Sequence, residues 1–126
     1  MRSWLRGLFV LIGISVPALA QEAANQPFYI WTALGYQQIT PVPAATTLTI
    51  PPGVAGGTSA RMAIICVETN SVRYRDDGTA PTATVGMLIE PAGTSNPGCI
   101  KYEGPLSALI FQQVTSPATI DVSYYR

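Results

Sequence analysis

The chain contains no histidine. That removes the usual general base near neutral pH, the commonest zinc ligand, and the Ser-His and Cys-His nucleophile pairs. Charge is scarce as well, since Asp, Glu, Lys and Arg make up only 11% of the 126 residues. No basic run occurs, so the electrostatic footprint of a nucleic-acid binder is missing. Beyond the first twenty residues no long segment has helical periodicity, and 11 Gly and 11 Pro disfavour helices further. With no helix to follow it, Gly56-Gly57 is a flexible loop rather than a phosphate cradle. No repeat of solenoid length is present.

The 7 carboxylates are then the main acid–base groups: Glu22, Glu68, Asp76, Asp77, Glu90, Glu103 and Asp121. A glycosidase needs two of them across a cleft. A small strand-rich chain rarely builds one, so no catalytic residue, no cofactor and no metal are expected. Asp76 and Asp77 are chemically suited to calcium. Their spacing matches no calcium loop, and a tight turn over Asp76-Asp77-Gly78 is the better reading.

What is present starts with an export pattern. Arg2 and Arg6 precede an apolar run over 8–16, Pro17 breaks it, and Ala18-Leu19-Ala20 offers small residues for cleavage. The run falls short of the roughly 20 residues that span a bilayer. The spacing predicts a signal peptide over 1–20, cut before Gln21, with an uncleaved anchor as the alternative. No cysteine lies near the cut, which excludes a lipoprotein anchor. Losing Arg2 and Arg6 leaves five basic against seven acidic residues, a net charge of −2. The remaining 106 residues would bury roughly 65% of their unfolded surface, enough for a modest core.

Residues 21–27 read as a flexible leader and 28–126 as one domain. Short apolar or alternating runs are cut there by Gly, Pro, Asn and Asp, the pattern of strands and turns. Strands are expected over 28–33 (FYIWTA), 35–40, 46–50 (TTLTI), 71–75 (SVRYR), 84–90 (TVGMLIE), 99–103, 107–114 and 118–125 (ATIDVSYY). The continuous apolar run 63–67 (AIICV) reads as a central strand covered on both faces. About eight strands at this spacing predict an all-β, antiparallel sandwich of jelly-roll type.

The two cysteines, Cys66 and Cys99, suggest a disulfide in an exported chain, with two buried thiols as the alternative. Such a bridge would add about 3–4 kcal/mol. Tyr29, Trp31 and Tyr36 could form a sugar-stacking platform. Tyr29 and Trp31 share a strand face, however, and that suits a core equally well. Tyr124 and Tyr125 point to opposite faces, and Tyr125 could sit in an interface. In 71–75, Val72 and Tyr74 should point inward and Arg73 and Arg75 outward. Beside Asp76 and Asp77, these arginines could order the turn through charge-assisted bonds. Val72, Tyr74, Val85, Met87 and Ile89 should form facing core rows of a hairpin.

The stretch from Val72, V-R-Y-R-D-D-G-T-A-P-T-A-T-V-G-M, resembles a segment of small β-rich proteins encoded among the structural genes of tailed bacteriophages and prophages. Leu106-Ser107-Ala108-Leu109-Ile110-Phe111 and the closing Ala118-Thr119-Ile120-Asp121-Val122-Ser123-Tyr124-Tyr125 are similar too. So are Leu48-Thr49-Ile50-Pro51-Pro52-Gly53 and residues 63–68. The resemblance implies a non-enzymatic, virion-associated accessory role, by self-association (a trimer is plausible for such modules) or by docking on a phage or cell-surface protein. The other expectation is a periplasmic or secreted module that binds a glycan or a protein. Neither involves nucleic acid or a stable membrane span.

Overall fold

The computed structural model describes residues 30–53, 59–93 and 95–126. The expected signal over 1–20, the leader over 21–27, and Phe28 and Tyr29 lie outside the described residues. The main folded unit is Trp31–Arg126.

Among the described residues, eight strands form two antiparallel sheets: β1 (Ala33–Ile39), β2 (Thr46–Thr47), β3 (Met62–Thr69), β4 (Val72–Arg75), β5 (Met87–Ile89), β6 (Cys99–Glu103), β7 (Ile110–Gln113) and β8 (Thr119–Tyr125). The sheets run β1-β8-β3-β6 and β2-β7-β4-β5. β1 pairs with β8, β2 with β7, β3 with β6 and β4 with β5. The chain is therefore one long hairpin, closed at the β4–β5 tip and rolled over itself, which is the jelly-roll order.

Alternation along the strands makes the core. Ala63, Ile65 and Val67 of β3 and Ile120, Val122 and Tyr124 of β8 turn inward, to meet Val72, Ile89 and Phe111 of the second sheet. Burying a side chain of this size stabilises by about 1.5–3 kcal/mol. Among the described residues, every buried side-chain nitrogen or oxygen has a hydrogen-bond partner.

Several expected strands differ in extent. The described end of 28–33 is not a separate strand. Thr32 exchanges backbone hydrogen bonds with Arg126, and one strand, β1, then continues through Gly35 with a register irregularity. The 46–50 strand shrinks to two residues because Gln37 Oε1 accepts from the Thr49 amide at 3.0 Å, where a neighbouring strand would otherwise stand. The 84–90 strand keeps only 87–89. Its start is a turn in which Thr82 N donates to Val85 O at 3.0 Å. The first part of 107–114 is a 3-10 turn, Leu106–Ala108.

Two burial expectations are corrected. β3 is buried on its inner face, but Ile64 and Cys66 on the other face are only half-buried, because among the described residues no third layer covers the sheet. Val85 and Met87 do not join the core row. They are 52% and 63% exposed, since β5 is the outer strand of its sheet and overhangs the core.

Candidate functional site

The β4–β5 hairpin holds four of the expected site residues. The Arg75 guanidinium grips the Asp77 carboxylate through two contacts, Nη2 to Oδ2 and Nε to Oδ1, the latter at 3.1 Å. Asp77 Oδ1 also accepts from the Thr79 amide at 3.0 Å. These bonds hold the Asp77 carboxyl down at about 2. Gly78 closes the turn at φ +75°, where a side chain would be strained. Asp76, with Arg75, Asp77, Val85, Gly86 and Met87, lines a shallow notch of about 280 Å³.

Arg73 does something the sequence did not suggest. Its Nε donates to Ala83 O at 3.1 Å and its Nη1 to Gly86 O at 2.8 Å, so it straps the 83–86 backbone against β4. Gly86 has φ +129°, and a Cβ there would lie 3.0 Å from Tyr74 O and 3.1 Å from Pro81 Cβ. The strap and the glycine together present β5 as a free edge. Along it Val85, Met87 and Leu88 are all large, apolar and exposed.

The other sheet edges are blunted by devices that discourage strand pairing. β1 carries a register irregularity and polar Gln37 and Gln38. β6 carries Lys101 and Glu103, paired to each other. β2 has two residues, with Pro43 before it and Pro51 after it. β5 is short, but has no charge and no proline between Met87 and Ile89.

A second concavity, of about 520 Å³, lies at one end of the sandwich. Trp31, Arg61, Glu103 and Ser107 line it, with Ile50 and Leu106 as apolar wall. Lys101 Nζ sits 5.7 Å from the Trp31 ring centroid, a cation–π contact. No carboxylate pairs with Arg61 among the described residues.

Of the expected aromatic platform, Trp31 and Tyr36 stand apart. Tyr29 lies outside the described residues. Tyr36 is on β1 and Lys101, which holds Trp31, is on β6 at the opposite edge, about 14 Å away at ordinary strand spacing. Tyr36 instead donates to Asp121, whose Oδ1 also accepts from Gln38 Nε2 at 3.1 Å. The hydrogen bond to this carboxylate, with some burial and its negative charge, pushes the Tyr36 phenol up to about 12. Glu68 also faces Asp121, and the hydrogen bond and repulsion between them raise its carboxyl above its ordinary value. Sequence reasoning did not pair Glu68 with Asp121. Their meeting depends on the β3–β8 register and its irregularity between Val67 and Thr69.

Cys66 and Cys99 stand directly opposite each other on β3 and β6 and form a disulfide. Tyr124 is buried in the core, while Tyr125 is half-buried between Ala33 and Met62. Among the described residues there is no cluster of three or more His, Cys, Asp or Glu arranged to hold a metal, and no helix long and apolar enough to cross a membrane. The chain matches no family model, and no curated protein or solved structure is significantly similar to it.

Proposed function

We propose that this protein is a non-enzymatic assembly module, and that the open edge of the β2-β7-β4-β5 sheet is its contact surface. The observation that carries the reading is Met87 and Leu88, 63% and 45% exposed on an edge strand without charge or proline, with Val85, 52% exposed, in the turn that leads into it. Exposed, flat apolar edges are templates for pairing with another chain. The strapped glycine turn gives this edge a defined shape before any partner arrives, which lowers the ordering cost of association. Two further points agree by analogy. Jelly rolls serve widely as capsid and lectin domains, and the stretch from Val72 to Met87 that resembles phage structural proteins is this same hairpin.

The test is density-gradient fractionation of the native producer after prophage induction. The wild-type chain should travel with large particles, and Leu88→Lys should release it to the soluble fractions. A wild-type chain found only free in periplasm or medium would overturn the reading. Mass spectrometry of its N-terminus, at Gln21 or Met1, reports export in the same experiment.

The end cleft favours a second reading, an exported ligand-binding module. Its volume falls in the range of small-molecule sites, and Arg61 offers a cation for an anionic group. Saturation-transfer NMR with uronic and neutral sugars tests it. Binding of the acidic sugars that Arg61→Ala abolishes would support this reading, and no transfer to any sugar would dismiss it.

A further inference from the structure

We infer that the partner at the β5 edge is a second copy of this chain, joined by an antiparallel β5–β5 pair about a two-fold axis at Leu88. The inference rests on the assembly reading above and adds the occupant, the register and the ion pairs.

The register follows from the strand itself. Leu88 is the middle residue of β5. An antiparallel pair centred there sets Leu88 opposite Leu88 of the copy, and Met87 opposite Ile89. β5 stops at Met87, where Gly86 leaves the strand at φ +129°, and at Ile89, so Glu90 of the copy follows just past Met87, beside Gly86. Directly opposed residues share a face. One face of the joint is then Leu88 on Leu88. The other sets the overhanging Met87 against Ile89 of the copy. A two-fold interface must be complementary to itself, and this sequence meets that condition at each of these positions.

Charge complementarity selects the same arrangement. Arg73 lies beside Leu88 on the outward face, and its Nη1 is held 2.8 Å from Gly86 O. Its bonded partners are two neutral carbonyls. Glu90 is exposed, and among the described residues neither it nor Arg73 belongs to an ion pair; those are Arg75–Asp77 and Lys101–Glu103. In the pair, Ile89 of the copy stands opposite Met87, so Glu90 of the copy comes next, beside Gly86. It comes up on the face where the Arg73 guanidinium is already fixed, with unused N–H donors. Gly86 has no side chain to obstruct it. Symmetry makes the contact twice. Three residues of strand give few main-chain bonds, so the apolar contacts and these two ion pairs must supply specificity.

The experiment is sedimentation velocity of the purified chain, disulfide intact, from 1 to about 300 μM at low and high salt. The expected result is a monomer–dimer equilibrium that weakens several-fold as salt screens the pairs. Leu88→Lys should abolish it, and Glu90→Gln should weaken it about tenfold and flatten the salt dependence, both with unchanged thermal stability. A chain that stays monomeric throughout, or a dimer indifferent to both substitutions, overturns the inference. Failure here is separable from failure of the assembly reading. A monomeric chain that Leu88→Lys still strips from particles keeps the reading and removes the self-pair. A Leu88-dependent dimer never found with any large particle does the reverse.

Discussion

Arg73 and Gly86 are made for each other: the guanidinium reaches the Gly86 carbonyl at 2.8 Å because position 86 has no side chain in the way. Their backbones are so close that a Cβ on residue 86 would meet Arg73 Cβ at 3.4 Å and Tyr74 O at 3.0 Å. Gly86→Ala should therefore cost about 1–3 kcal/mol, from backbone strain at φ +129° together with the close contact. Urea unfolding measures it. Gly93→Ala, where a Cβ meets nothing within 4 Å, serves as the tolerant control.

Gln37 links three groups. Its Oε1 accepts from Tyr124 Oη at 2.7 Å and from Thr49 N at 3.0 Å, and its Nε2 donates to Thr49 Oγ1 at 3.3 Å. Gln37→Ala leaves the Tyr124 hydroxyl without its acceptor and should cost about 1–3 kcal/mol. Tyr124→Phe in the Gln37→Ala background should recover part of that loss. Additive effects of the two substitutions would show that the pair is uncoupled.

The Cys66–Cys99 bridge closes a separation of 33 residues. Cys66→Ala with Cys99→Ala should lower stability by about 3–4 kcal/mol and leave the far-ultraviolet circular dichroism of the sheets in place. The two strands still pair through the rest of the β3–β6 ladder.

Acid should loosen the Asp77 turn. Its carboxyl is held at about 2, below the ordinary value of 3.8, by Arg75 and the Thr79 amide. A depressed acid stabilises the fold above its unfolded value and loses that contribution as pH falls through the folded one. The difference in Tm between wild type and Asp77→Asn should be full above pH 4 and vanish toward pH 2. Glu68 has the opposite sign. Its raised value makes protonation favourable in the fold, so Glu68→Gln should gain stability relative to wild type as pH rises past the ordinary carboxylate value.

Much of this fold was legible in the chain. The alternation Ile120, Val122, Tyr124 against Asp121, Ser123, Tyr125 gave the burial of β8 directly, because strand faces repeat every two residues. The Asp-Asp-Gly turn and the Arg75–Asp77 contact were legible from local chemistry. The faults lay where tertiary context decides. AIICV reads as doubly buried, yet its sheet, with no third layer among the described residues, leaves Ile64 half-buried. Val85 and Met87 have the phase of core residues, but strand phase does not say that β5 lies at an edge. Glu68 and Asp121 are far apart in sequence, and only the β3–β8 register brings them together. Glu90, which the inferred edge pair uses, carried no local signal of that role.

The most direct test of the edge as a contact surface uses the two described methionines. Met87 is 63% exposed and Met62 only 3%. Mild peroxide oxidation, read by mass spectrometry, should modify Met87 quickly in dilute Leu88→Lys monomer and spare Met62. In wild-type protein taken in its native fraction, Met87 should be protected several-fold while Met62 stays unchanged. Equal oxidation of Met87 in the native fraction and in the monomer would contradict the edge as the working surface of this protein.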